Sequence, residues 1–100
     1  MIQSKIEYLK KRTANISCNG KAGIVSFLTD LGFSMTTGKS AQHKIFSFKK
    51  LTIITDGKFK TFSIDCGHAP KKPMKISYVH NIIKLLEKYE KDLLEINENG

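Results

Sequence analysis

The sequence predicts an α+β two-layer sandwich: an antiparallel meander of three to four strands with helices packed on one face. Three observations predict it. Apolar residues recur at helical spacing near both ends of the chain, as Ile2, Ile6 and Leu9, as Ile24, Phe27, Leu28 and Leu31, and as Ile76, Val79, Ile83, Leu86 and Leu93. Between residues 33 and 66 the period drops to two, the spacing of strands. An antiparallel sheet needs only one covered face, and the helical stripes can cover it.

Each element has its own local signal. Residues 2–14 read as a short helix, and 15–20 as a break. The second helix has Asn19 as a candidate cap and ends at Gly32, which can adopt the left-handed conformation that stops a helix. Phe33–Thr37 reads as a first strand, and Gly38–Gln42 as a turn. In His43–Phe48, Phe46, Phe48 and the stem of Lys44 share one face, while His43, Ile45 and Ser47 share the other. Leu51–Thr55 is rich in β-branched residues and reads as a strand. Asp56-Gly57 is the strongest hairpin signal in the chain. Phe59–Asp65 alternates again, with Phe62 and Ile64 on one face. Two prolines, Pro70 and Pro73, make 67–73 a loop. One long helix starts near Ser77, its expected N-cap, with Ile82 and Tyr89 beside its buried stripe.

One hundred residues make one domain. Residues 1–15 form its extra N-terminal helix, 19–94 its core and 95–100 a fraying tail. No apolar run reaches the ~20 residues of a membrane span, and residues 1–12 lack the apolar segment of a secretion signal. The expected location is cytoplasmic, with no membrane partner. Two cysteines, Cys18 and Cys66, do not make a disulfide framework and are expected to be reduced thiols. Cys66-Gly67-His68 is at most half of a metal site with no second pair to complete it. No metal or other cofactor is expected.

The net charge of +8 is unevenly spread. Residues 35–75 carry nine lysines against Asp56 and Asp65, a net of +7, whereas residues 76–100 carry three lysines against five acids, a net of −2. A basic middle suits a polyanion; a solvated lysine-rich surface is the plain alternative.

His43 gives the basic block a chemistry. Phe46 and Phe48 must meet the helices, so parity turns His43 to the opposite, open face. An accessible imidazole exchanges protons. RNA cleavage requires taking a proton from a 2′-hydroxyl, offsetting charge on the phosphorane and protonating the leaving 5′-oxygen. One histidine can serve as general acid or base, and lysines such as Lys39, Lys44, Lys71 and Lys72 can offset the charge. The bland alternative is an inert surface histidine.

Four stretches, in order, resemble the HicA family of toxin ribonucleases, the mRNA interferases of type II toxin–antitoxin systems. They are Leu31-Gly32-Phe33, His43-Lys44-Ile45-Phe46, the loop from His68 to Lys75, and Ile76 to Ile83 with Tyr78-Val79 inside it. The similarity covers roughly residues 5–90, and the extra N-terminal helix is similar to a longer subgroup. Where the family has Gly-Ser before the histidine, this chain has Ala41-Gln42. The resemblance implies a double-stranded-RNA-binding-like fold, (α)-α-β-β-β-α, and endoribonuclease activity on single-stranded mRNA without a metal. It implies His43 as the catalytic residue and an acidic antitoxin as protein partner. Lys39, Ser40, Gln42, Lys44, Lys71, Lys72 and Lys75 are the candidate RNA contacts. Two rival readings use the same residues. One is a non-catalytic RNA-binding module on this fold, with Lys71, Lys72 and Lys75 at the start of the last helix. The other is a protein-binding domain whose basic face meets only another protein.

Overall fold

The computed structural model describes residues 2–66 and 73–99. Its order is α1 (Ile2–Lys11), α2 (Ile24–Leu31), β1 (Ser34–Thr37), β2 (His43–Ser47), α3 (Lys49–Ile54), β3 (Thr61–Asp65), α4 (Ile76–Lys88) and α5 (Glu90–Asn99). The chain is a small α+β domain. Its sheet has three antiparallel strands in the order β1-β2-β3, with β2 in the middle.

The face carrying Met35, Phe46, Phe62 and Ile64 meets the helices, and Phe46 is fully buried. Phe33, set by the stop at Gly32, gathers the aromatic core: its ring lies 5.0 Å from Phe48, 5.9 Å from Phe59 and 5.6 Å from Phe62. Gly32 has φ 114°, and a Cβ there would lie 2.6 Å from the Phe48 ring, so the position requires glycine on both counts. Behind the sheet, Ile2, Ile6 and Leu9 of α1 and Val79, Ile82, Ile83 and Leu86 of α4 complete the core. Ile76, at the first turn of α4, is exposed instead. The two helices are also joined at the surface, where Lys10 Nζ lies 2.9 Å from Glu87 Oε2. The hydrogen bond that the Lys10 ammonium donates to the Glu87 carboxylate, together with the carboxylate's charge, raises the Lys10 pKa above its ordinary value. That contribution is present below pH 10.5 and is lost as pH rises through the raised value.

Several expectations are corrected. The stretch read as a strand at 51–55 is largely helical, within α3. Leu51 is fully buried and α3 packs on α5. The threonines suit either state: Thr52 and Thr55 donate to the carbonyls of Phe48 and Leu51, four residues back, at 3.2 and 2.7 Å. Thr55 Oγ1 also accepts the Phe59 N–H at 3.1 Å. Asp56 (φ 55°) and Gly57 (φ 80°) do take the positive φ their sequence advertises, but as the stop of α3 rather than as a hairpin. The long terminal helix is two helices. The break comes at Tyr89, which is buried with its ring 5.7 Å from Phe59. The bend lets α5 fold back on α1 and α3 and bury Leu93. α5 runs on to Asn99, through the positions read as a tail. The caps also differ, with Gly23 rather than Asn19 before α2 and Lys75 rather than Ser77 before α4.

The cysteines, expected as thiols, form a disulfide: Cys18 and Cys66 are bonded across 48 residues of sequence. Neither position belongs to a multi-cysteine pattern, so spacing carries no sign of the pair. The fold brings them together, with Met74 donating to the Ile16 carbonyl at 2.8 Å and Cys66 to that of Gln42 at 2.9 Å.

Candidate functional site

The uncovered face of the sheet is paved with small hydroxyl residues. Ser34 and Thr36 come from β1, Ser47 from β2, and Thr61 and Ser63 from β3, with Ile45 in the centre. His43 closes this face at one end, as parity requires, and is half-buried.

Two features border the His43 ring. The first is the turn before it. The Gly38 N–H donates to the His43 carbonyl at 2.7 Å, and the His43 N–H donates to the Ser40 carbonyl at 3.1 Å. This closes residues 38–43 so tightly that the imidazole lies against the Gly38 α-carbon. A Cβ at Gly38 would collide with His43 Nδ1 and sit 2.9 Å from Cε1 and Cγ. The second is the cross-strand partner. His43 stands directly opposite Asp65. The Cys66 N–H bonds to the Gln42 carbonyl one step outside this pair. His43 and Asp65 are therefore a non-hydrogen-bonded pair, the kind whose side chains approach most closely.

Sequence reasoning does not single out Asp65. The alternation of Phe62, Ser63, Ile64 and Asp65 puts it on the open face, but its register with His43 depends on the route of the chain through α3.

The other expected site residues scatter. Lys39 and Ser40 are exposed in the same turn as His43, and Gln42, half-buried, adjoins it. Lys44 does not join them: it faces the covered side, opposite Thr37 and the buried Ile64. Lys75 is exposed at the start of α4. Lys71, Lys72 and His68 lie outside the described residues. The lysine rim expected around His43 therefore reduces, among the described residues of its own turn, to Lys39. Among the described residues no three His, Cys, Asp or Glu side chains converge as metal ligands, and no helix is long and apolar enough to cross a membrane.

Comparison of the chain with protein-family models, curated proteins and solved structures finds no match. The reading of the site rests on its geometry and on the pattern of residues.

The contact between Gly38 and the ring gives a prediction. Gly38→Ala should displace the imidazole while leaving a backbone that any residue can adopt. If His43 does chemistry, activity should fall by up to ~10²-fold, the cost of misplacing a reacting group by about 1 Å. Thermal unfolding followed by circular dichroism should change little. Full activity in this variant would mean that the seating of the ring does not matter.

Proposed function

We propose that the protein is an endoribonuclease that cleaves single-stranded RNA through His43, as the toxin of a toxin–antitoxin pair. The observation that carries the reading is the seat of His43: a ring on the uncovered face, laid on Gly38 and opposite Asp65. The order α2-β1-β2-β3-α4, with helices behind an antiparallel sheet, supports the finer reading of a double-stranded-RNA-binding-like sandwich with α3 inserted between β2 and β3.

In this reaction the 2′-oxygen of one nucleotide attacks the adjacent phosphorus and the bond to the 5′-oxygen breaks. His43 moves a proton in that exchange, from the 2′-hydroxyl or to the departing 5′-oxygen. Asp65 acts as a positioning residue for the ring, and the Lys39 ammonium offsets charge on the phosphorane. The products are a 2′,3′-cyclic phosphate and a 5′-hydroxyl. The protein partner is an acidic antitoxin that covers this face, complementing the basic middle of the chain.

The test uses purified protein, EDTA and two labelled oligonucleotides of one sequence, one of RNA and one with every 2′-hydroxyl methylated. Cleavage of the first alone, leaving a cyclic phosphate end, is the expected result. Cleavage of both would overturn attack by the 2′-oxygen. Binding of both with cleavage of neither would favour the non-catalytic RNA-binding module.

A further inference from the structure

A second place on the molecule collects positive charge. Lys58 and Lys60 flank the buried Phe59 just before β3, while Lys84 and Lys88 sit one turn apart on α4. The four line an open groove of about 250 Å³ at the seam between β3 and α4. All four are exposed, and no carboxylate lines the groove. Among the described residues none of the four is in an ion pair; the described ion pairs both belong to Lys10. Lys88 Nζ stands 5.4 Å from the centre of the Tyr89 ring, which seats one ammonium against the groove wall.

Four like charges gathered in one groove repel one another, and no fixed carboxylate within it compensates them. Such a cluster suits a ligand that brings its own negative charge. The groove offers little to a protein partner, because its aromatic rings are already spent on the core: Phe59 is 2% exposed and Tyr89 8%. Protein interfaces draw most of their energy from a few buried anchors, tryptophan, tyrosine and arginine above all, whereas a phosphodiester backbone can be held chiefly by cations.

We infer that the groove of Lys58, Lys60, Lys84 and Lys88 binds the phosphate backbone of single-stranded RNA, as an anchor separate from His43. Its place on the sheet gives the path. β3 is an edge strand. The groove lies at its Thr61 end, paired with Ser47, and His43 faces its other end at Asp65. Four residue steps separate the ends, roughly 13 Å at strand spacing. An RNA strand gripped in the groove can follow the β3 edge toward the imidazole. The choice of RNA as the polyanion rests on the function proposed above; the groove does not.

The experiment measures anisotropy of a labelled, fully 2′-O-methylated oligoribonucleotide, which binds without being cut, over a series of salt concentrations. Three proteins are compared: the wild type, K58Q/K60Q/K84Q/K88Q, and a control with the same loss of charge elsewhere, K11Q/K21Q/K49Q/K91Q. The groove variant should bind at least about tenfold more weakly. Its slope of log affinity against log salt should fall by about 2–3, at ~0.7 for each phosphate that is no longer neutralised. The control should stay within about threefold of wild type. Equal weakening in both variants, or wild-type affinity in the groove variant, would overturn the inference. A parallel cleavage assay on the unmethylated oligoribonucleotide separates this inference from the catalytic reading. Binding lost only in the groove variant, with no cleavage by the wild type, would sink the ribonuclease and leave the anchor standing. Cleavage by the wild type with an unaffected groove variant would do the reverse.

Discussion

His43→Ala should lower the rate of RNA cleavage by ~10²–10⁴-fold, the usual worth of one general acid or base. The loss should appear in kcat, because in the proposed reaction the ring acts on the proton in flight and contributes little to holding the strand. The fold should tolerate the change. His43 is half-buried at the start of β2, outside the aromatic core, and its strand is held by backbone bonds that alanine keeps. Unfolding curves of the two proteins should therefore nearly coincide, so that a fall in activity reads as chemistry. Cleavage at the wild-type rate would remove His43 from the mechanism and assign the activity to another residue or to a contaminant.

Phe46→Ala should act in the opposite way, destabilising the fold through the core. Phe46 is 0% exposed on the central strand, and its ring is stacked 5.2 Å from Phe62 at an interplanar angle of 18°. Met35 lies opposite it on β1 and Phe62 on β3. Truncation leaves a cavity that three strands and the helices behind them cannot close without breaking register. The expected cost is about 3–5 kcal/mol, a large part of the 5–15 kcal/mol typical of a whole domain. Urea denaturation should show a lower midpoint at unchanged slope, and the melting temperature should drop by roughly 12–40 °C. A cost under ~1.5 kcal/mol would mean that the core is not packed around this ring.

Much of the architecture was legible because burial imposes a period. The stripes of α1, α2 and α4, the left-handed stop at Gly32 and the two faces of β2 follow from spacing alone. The misread stretch, 49–57, is one where local preference and tertiary packing disagree. Its β-branched residues favour a strand, but a single buried leucine and two threonines bonded to preceding carbonyls suffice for a helix of six residues. Asp56-Gly57 signals positive φ, and positive φ serves a helix stop as well as a hairpin. Of the candidate site, the side of the sheet that His43 occupies could be read from parity. Its nearest neighbours could not. Asp65 comes to it through register across an unforeseen helix, and Gly38 through a closed turn. Lys44 sits next to His43 in sequence and on the other side of the sheet in space, so adjacency in the chain does not bring its charge to the ring.

The bond between Cys18 and Cys66 encloses everything from α2 to β3, and so encloses both His43 and Asp65. In a chain-entropy view, closing a loop of this length removes about 4 kcal/mol of freedom from the unfolded chain. Cys66 is the residue after Asp65, and its own N–H fastens the last rung of the ladder beside His43. The electron balance of the surrounding medium thus bears, through one covalent bond and one residue of backbone, on the strand pair that sets Asp65 opposite His43. A thiol reductant in the buffer is, for this molecule, a reagent that acts on the end of the sheet that carries His43.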